Sequence, residues 1–229
     1  MEIDVILLSY TKDDRIYNMT KQCIESIINS EKNHKFNIKL IETEKTGKYV
    51  YKYDEVETIV PNEEFNYNKF LNIGLKYCKN EWILISNNDT EYVDGWLSEM
   101  LKQHDKDNEL ISMSPYCPIW HVHKNNFKEK KEIFYGHRTS YELTGWSILM
   151  NKKVIDVIGN FDEQFSFWYQ DNDYSMNLQK HNIKHALIKN SIVLHHLSKS
   201  HGLVDPKKQN EMTHGLSKNF NDKWKKLKQ

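Results

Sequence analysis

The chain has few of the residues that build covalent or metal-based frameworks. Its 229 residues contain only three cysteines, four prolines and eight glycines. Cys23, Cys78 and Cys117 are odd in number and lie far apart, so they predict neither a disulfide framework nor a zinc site. We therefore expect a reducing, cytoplasmic environment. No apolar run has the length of a membrane span and the first residues lack a secretory-signal pattern, so we expect neither feature.

The chain also lacks an excess of charge of either sign. Lys and Arg number 32, Asp and Glu number 32, and the sequence pI is about 7.2. A general nucleic-acid binder would carry a basic excess, so we expect no nucleic-acid partner. Mean hydropathy is −0.77, yet aromatic residues make up 12% of the chain. This combination favours a polar surface with Tyr and Trp side chains that contact polar ligands such as sugars.

The periodicity of the apolar residues predicts one α/β domain over residues 1–229. Strands are predicted at 3–8, 36–41, 56–60, 82–85, 110–113 and 186–194, and helices at 19–28, 66–77, 152–158 and 170–180. The first strand, helix and second strand form a βαβ unit, which implies parallel pairing. A further helix is predicted to start near Trp96, with Asp94 as its N-terminal cap.

Two segments do not fit this alternation. Residues 115–138 contain two prolines, many His and Lys residues and no clean period, so we expect a long, partly mobile excursion over one side of the domain. Residues 205–229 form a basic tail with Leu216, Phe220, Trp224 and Leu227 on one helical stripe. This tail is interpreted as a solvated face, with a dimer contact or peripheral contact with an anionic membrane as alternatives.

The stretch from Trp82 to Asp89 carries the first chemical signal. An apolar run suited to a buried strand ends abruptly at Asn87, Asn88 and Asp89. Open α/β sheets bind ligands at the carboxyl edge of their strands, and a carboxylate there can hold a divalent cation and, through it, a diphosphate. Asn-Asn-Asp is also ordinary turn chemistry, so on this stretch alone both interpretations stay open.

Further motifs occur along the chain in a fixed order. They are Ile3 to Tyr10, Asn66-Tyr67-Asn68-Lys69 through Asn72-Ile73-Gly74, Asn87-Asn88-Asp89-Thr90, Gly159-Asn160-Phe161-Asp162-Glu163, Tyr169-Gln170-Asp171-Asn172-Asp173 and Val193-Leu194-His195-His196. In this order they resemble the inverting GT-A glycosyltransferases of glycosyltransferase family 2. The resemblance implies a GT-A (Rossmann-like) fold, which is a mixed, mostly parallel central sheet flanked by helices. It also implies a nucleotide-sugar-binding half at 1–113, an acceptor and catalytic half at 114–204, and a basic helix at 205–229.

The resemblance further implies metal-dependent, inverting transfer of a sugar from a nucleotide-diphosphate-sugar donor to a glycan or glycoconjugate acceptor. Asp171 is then the general base, and Asp89 and His195 hold Mn²⁺ or Mg²⁺. The implied donor-binding residues are Ser9, Tyr10, Glu42, Lys69, Asn72, Asn87 and Asn88, and the implied acceptor-binding residues are Trp146, Trp168 and Tyr169.

The chain departs from the family pattern at several of these positions. Asn87 stands where the family has the first Asp of its Asp-x-Asp motif, and Gln170 stands where it has a Glu before the catalytic Asp. Both changes remove negative charge, and the second removes a like charge that would raise the pKa of Asp171. The second strand ends in Glu42-Thr43-Glu44 where the family usually has an Asp pair, which makes Glu42 the acid expected to contact the base or ribose.

Taken without the family, these residues also have structural interpretations. Asp171 and Asp173 fit N-terminal helix acids stabilised by the helix dipole. His195 fits a polar residue that leaves a sheet, Lys69 fits a solvated side chain, and Trp146 and Trp168 fit the core.

Two rival functions therefore remain open. The first is a non-catalytic descendant that binds nucleotide-sugar or glycan, motivated by Asn87 and Gln170. The second is a nucleotidyltransferase, although residues 9–14 contain no Gly for the phosphate-binding loop that such enzymes usually have.

Overall fold

The computed structural model describes the backbone of residues 1–196 and 206–225, and the side chains of 1–196 and 216–225. The strands are β1 (Glu2–Ser9), β2 (Lys35–Glu42), β3 (Val56–Ile59), β4 (Trp82–Asn87), β5 (Thr90–Tyr92), β6 (Leu110–Tyr116), β7 (Ile133–Tyr135), β8 (Ser147–Asn151) and β9 (Lys184–His195). The helices are α1 (Asp14–Asn29), α2 (Tyr67–Leu75), α3 (Trp96–Lys106), α4 (Pro118–His121), α5 (Lys152–Ile158), α6 (Gln170–Lys180) and α7 (Pro206–Lys225). Within these ranges no helix combines the length and apolar content that crossing a bilayer requires.

The strands form one sheet in the order β3-β2-β1-β4-β8-β6-β9-β5, with β7 paired to β9. Strands β1, β2, β3 and β4 pair in parallel, as do β6 and β9, whereas β8 lies antiparallel between β4 and β6. Most strands therefore point the same way, and their carboxyl ends meet at one edge. This arrangement confirms the predicted mixed, mostly parallel α/β sheet and the parallel βαβ unit at its start.

Helices cover both faces of this sheet. Ile3, Val5 and Leu7 of β1 pack in a cluster with apolar side chains of α1 and α3, whereas Ile6 and Leu8 pack in a second cluster with those of α2, α5 and α6. Because successive strand residues point to opposite faces, a strand covered on both sides must be apolar throughout. This requirement explains the apolar run of residues 5–8 in β1.

The N-terminus of α3 corrects one prediction. Its cap residue is Gly95, in the left-handed region at φ 82°, and no side chain at the cap position accepts a hydrogen bond. Asp94 is therefore not the cap. Instead, Glu31 from the end of α1 accepts hydrogen bonds from the backbone N–H of Leu97 at 2.7 Å and of Ser98 at 2.8 Å. A buried carboxylate distant in sequence thus replaces the local cap.

Residues 115–138 also differ from the prediction. The strand β6 continues through Pro115 to Tyr116, α4 follows, and β7 pairs with β9. His121 and Phe127 are buried and anchor the segment from beneath. The segment therefore contains more regular structure than its sequence indicated, because short elements held by single buried residues produce no detectable period.

The basic tail is a helix that packs on the domain. Trp224 of α7 is 4% exposed, and Phe220 contacts the rings of Phe165 and Tyr169. The interpretation of the tail as a solvated face is therefore wrong for this stripe. Leu227, which the stripe includes, lies outside the described residues.

The identity of the α3 cap can be tested with two matched variants. We expect Glu31→Ala to lower the free energy of unfolding by about 2 kcal/mol, because it leaves the Leu97 and Ser98 N–H groups without their acceptor. Asp94→Ala should change it by less than about 0.5 kcal/mol. Urea denaturation of both variants measures this difference, and equal losses would contradict the assignment.

Candidate active site

The carboxyl ends of β1 and β4 are joined by short polar side chains. The Asn88 amide nitrogen donates to the Thr20 hydroxyl at 2.8 Å and to the Ser9 hydroxyl at 3.3 Å, and the Ser9 and Thr20 hydroxyls lie 3.2 Å apart. All three side chains are buried. Ser9 and Asn88, both predicted to bind the donor, therefore tie β1, α1 and β4 together from beneath the edge.

Glu42 at the end of β2 organises the loop that follows β1. Its carboxylate accepts from the Thr11 N–H at 3.0 Å, the Thr11 hydroxyl at 2.6 Å and the Glu44 N–H at 2.8 Å. An ionised carboxylate has about four acceptor positions, so at most one is left for a ligand. Tyr10, beside this loop, is 52% exposed, and its ring is available for stacking.

Asn87 is held by a residue that sequence analysis missed. The Tyr67 hydroxyl donates to the Asn87 side-chain oxygen at 3.0 Å. Burial, followed by the negative charges of Asp171 and Asp89, raises the pKa of Tyr67. Tyr67 also lines a small cavity together with Asp171, so it connects the end of β4 to a predicted site residue from a distant part of the chain. The only sequence signal for Tyr67 is its place at the start of the motif on α2.

Asp89 and His195 face each other across the sheet edge. The pairing of Thr90 with His195 in the β5–β9 ladder sets their register, and the His196 N–H donates to the Asp89 carbonyl at 2.9 Å. The Asp89 Oδ1 and His195 Nε2 atoms are 3.4 Å apart, and both residues are buried. The Trp146 ring stacks on His195 with centroids 5.0 Å apart and planes at 9°. Trp146 therefore fixes the imidazole plane.

This pair has the chemistry of a divalent-cation site. Adjacent ligands of an octahedral ion with bonds of about 2.0–2.1 Å lie about 3 Å apart, close to the observed separation. His195 Nδ1 is buried and has no hydrogen-bond partner among the described residues. Within the described residues no group of three His, Cys, Asp or Glu side chains converges on one point. The pair could therefore supply two ligands, and the others would come from the bound ligand and water.

Asp171 lies in the first turn of α6. The helix starts after Tyr169, a non-glycine residue at φ 67°, whose carbonyl accepts from the Asp173 N–H at 2.8 Å. Burial raises the pKa of Asp171, and a hydrogen bond from the Asn172 N–H at 2.8 Å partly offsets this effect. A left-handed residue before the acid is a strained conformation of the kind that occurs at functional sites.

Gly145 allows Asp171 to approach the segment that precedes β8 closely. A Cβ atom at position 145 would lie 2.9 Å from the Asp171 Cβ and 3.2 Å from its Oδ2. The adjoining cavity, lined by Tyr67, Gly145, Gln170, Asp171 and Tyr174 among others, has a volume of only about 20 Å³. This volume has room for about one water molecule. A sugar ring can reach Asp171 through this cavity only if its walls move.

Two further residues predicted to bind the donor, Asn72 and Lys69, lie on α2. The Asn72 amide is engaged by the Phe161 backbone and the Glu163 carboxylate, at 2.9–3.0 Å. The Lys69 Nζ lies 4.0 Å from Glu63 and is partly exposed. Asn72 thus binds the Gly-x-Phe-Asp-Glu motif to α2, whereas Lys69 is free to turn toward a ligand.

The aromatic residues predicted to bind the acceptor do not form one wall. The Tyr169 ring packs on Phe220 with centroids 5.2 Å apart, and Trp168 meets the Phe167 ring edge-on at 5.6 Å. Trp146 is 8% exposed and stacks on His195. Trp146 therefore supports the Asp89–His195 pair and offers little surface to a sugar.

Comparison with known families decides the ancestry of this arrangement. Residues 4–160, more than half of the chain, match the family model described as glycosyl transferase family 2. The chain belongs to glycosyltransferase family 2. It is also 22% identical over 162 residues to the O-antigen biosynthesis protein RfbC of Myxococcus xanthus, a stretch that covers 59% of this chain and 12% of that protein.

Solved structures of glycosyltransferases share the fold. GalNAc-T7 with UDP, GalNAc and Mn²⁺ superposes with a TM-score of 0.65 at 12% identity, covering 85% of this chain and 43% of that one. The mannosyltransferase PcManGT of Pyrobaculum calidifontis, in complex with GDP-Man and Mn²⁺, gives a TM-score of 0.65 at 11% identity, covering 86% and 57%. The sheet and its helices are therefore those of the GT-A fold, as the family 2 resemblance implied.

The raised pKa of Asp171 makes a prediction about stability. Between the unfolded-state pKa of about 3.9 and the higher folded-state pKa, the folded protein binds more protons, so stability falls as pH rises through this window. We therefore expect Asp171→Asn to be more stable than wild type at pH 7, with the difference vanishing below about pH 3.9. Thermal melts from pH 3 to 8 measure it. A variant less stable than wild type at neutral pH would contradict the burial argument.

Proposed function

We propose that this family 2 protein is a metal-dependent, inverting glycosyltransferase that moves a sugar from a nucleotide-diphosphate-sugar to a glycan or glycoconjugate. The observation that carries the proposal is the convergence on one sheet edge of a buried Asp89–His195 pair and a half-buried Asp171. Tyr67 adjoins both groups, because its hydroxyl donates to the Asn87 side chain and it lines one small cavity together with Asp171. The Asp89–His195 pair suits the binding of a cation that neutralises the leaving diphosphate. Asp171 suits the removal of a proton from the attacking hydroxyl.

The relatives support the substrate class. GalNAc-T7 is described with UDP, GalNAc and Mn²⁺, and PcManGT with GDP-Man and Mn²⁺. RfbC is described as an O-antigen biosynthesis protein, which points to polysaccharide synthesis. We carry over a nucleotide-sugar donor and a divalent cation, Mn²⁺ or Mg²⁺, because the Asp89–His195 pair offers the oxygen and imidazole ligands that Mn²⁺ accepts.

The chemistry needs charge neutralisation on one side of the sugar and proton removal on the other. Asp89 and His195 would hold the cation, which acts as a Lewis acid on the diphosphate oxygens when bound. Asp171 takes the proton of the acceptor hydroxyl as that oxygen bonds to the anomeric carbon. The bond from that carbon to the diphosphate breaks on the opposite face, so the configuration inverts.

Burial suits Asp171 to this role. A general base works best when its pKa lies near the working pH, and burial raises the pKa of Asp171 toward that range. Gln170 beside it adds no charge, and its side-chain oxygen is buried without a partner among the described residues. We propose that Tyr10, Lys69 and Asn87 contact the donor, while Ser9, Glu42, Asn72 and Asn88 hold the elements that carry them.

The small cavity beside Asp171 favours one alternative, a descendant that binds nucleotide-sugar or glycan without turnover. Its motivation in sequence is the loss of charge at Asn87 and Gln170. Calorimetry that shows Mn²⁺-dependent nucleotide binding, together with no transfer to any acceptor and no donor hydrolysis, would favour this binding protein over the enzyme.

We place the reaction in the cytoplasm. The cysteine thiols at 23, 78 and 117 are free and buried in the structure, which fits a reducing compartment. Nucleic acid is not proposed as a partner, and the identities of the base, the sugar and the acceptor are left to a thermal-shift screen of nucleotide-sugars with Mn²⁺.

The base assignment is tested by Asp171→Asn. With a donor found in that screen, we expect kcat to fall by roughly 10²–10⁴-fold while nucleotide affinity stays within about threefold, because the carboxylate acts only on the acceptor proton. Asp156→Asn, an exposed carboxylate on α5, is the matched control and should keep full turnover. Unchanged kcat in Asp171→Asn would refute the role.

The metal assignment is tested by Asp89→Asn and His195→Ala. Asp89→Asn replaces the carboxylate ligand by a neutral amide and His195→Ala removes the imidazole, so we expect each to lower Mn²⁺ affinity in the presence of a nucleoside diphosphate by at least about tenfold. Electron paramagnetic resonance of free Mn²⁺ measures this loss. His196→Ala, whose ring contacts Glu91 and not Asp89, is the control. Wild-type affinity in both ligand variants would place the cation elsewhere.

A further inference from the structure

The C-terminal helix α7 contacts two family motifs through one lysine. The Lys223 Nζ lies 2.8 Å from the Asp162 Oδ2 and 2.8 Å from the Asp173 Oδ1. Asp162 belongs to the Gly-x-Phe-Asp-Glu motif, and Asp173 lies in the first turn of α6, two residues after Asp171. The lysine ammonium therefore joins the loop before α6 to the start of α6.

Trp224 adds a second contact on the same carboxylate. Its indole N–H donates to the Asp173 Oδ1 at 2.7 Å, and its side chain is buried. Asp173 is 3% exposed, and its carboxylate has two partners from α7 besides the Asn177 amide of α6, which donates to its Oδ2 at 3.1 Å. A buried, fully partnered carboxylate has one orientation, and this fixes the first turn of the helix.

The loop between the two motifs is held on both sides. Phe220 of α7 contacts the rings of Phe165 and Tyr169, the residue in the left-handed region that starts α6. On the other side, the Asn68 amide of α2 donates to the Asp162 carbonyl at 2.8 Å, and the Tyr67 N–H donates to the Ser166 carbonyl at 2.7 Å. Helix α7 thus closes the loop against α2, whose Tyr67 side chain bonds to Asn87 and lines the cavity beside Asp171.

We propose that Lys223 and Trp224 are positioning residues for glycosyl transfer, acting through Asp173 to hold Asp171 at the angle that the acceptor hydroxyl requires. The inference rests on the proposed function. It gives α7 a role in turnover, beyond its contribution to the hydrophobic core. Neither residue touches the cavity beside Asp171, so their effect reaches the reacting atoms only through the backbone of α6.

The test compares variants of Lys223 and Trp224 that differ in the charge or hydrogen-bond donor they retain. Lys223→Met removes the ammonium, Lys223→Arg keeps a cation that can bridge two carboxylates, and Trp224→Phe keeps a ring without its N–H. Lys225→Met, on the exposed face of α7, removes the same charge and serves as control. The melting temperature of each variant is measured first. kcat and donor KM are then measured at a temperature well below the lowest of these melting temperatures.

We expect Lys223→Met and Trp224→Phe to lower kcat by up to roughly 100-fold with donor KM within about threefold, because a shift of about 1 Å in a catalytic group has this effect. Lys223→Arg should recover most of the loss, and Lys225→Met should match wild type.

A purely structural role would lower the melting temperature alone and leave kcat unchanged, which would overturn the proposal. If wild type itself shows no turnover while binding donor, the proposed function fails first. Active wild type with unaffected Lys223→Met and Trp224→Phe refutes only the positioning role.

Discussion

The pairing of β5 with β9 is the constraint on which the site depends. It places residues that are 106 positions apart, Asp89 and His195, in one register, and the Asp89 carbonyl accepts the His196 N–H to close the ladder. Both side chains are buried, where an unpaired charge would be costly. The contact between the two side chains offsets part of this cost, and the stacked Trp146 ring holds the imidazole in one plane.

A second set of contacts brings the acid of α6 to the same place. Gly145 provides the space for Asp171, Tyr169 adopts the left-handed conformation that starts the helix, and Asp173 is held by α7. Tyr67 connects this set to the first, because its hydroxyl holds Asn87 and both acids influence its pKa. The site is thus assembled from both halves of the chain, and no single motif defines it.

Sequence patterns predicted what local chemistry determines. The α/β alternation, the strand end at Asp89 and the helix start at Asp171 follow from apolar periodicity and motif order. Contacts between distant residues gave no such signal. Glu31 caps α3 in place of Asp94, Tyr67 holds Asn87, and Lys223 bridges two motifs, and each of these depends on a fold that must first exist. Likewise, the hydrogen bonds that occupy Glu42 and Asn72 appear only once the loops are placed.

The central claim is that Asp89 and His195 together bind the cation that faces the donor diphosphate. Anomalous diffraction at the manganese edge, from crystals grown with Mn²⁺ and a nucleoside diphosphate, tests it most directly. The account predicts a peak bonded to the Asp89 carboxylate and the His195 imidazole, with diphosphate oxygens completing the coordination. A manganese peak bound away from both side chains would contradict it.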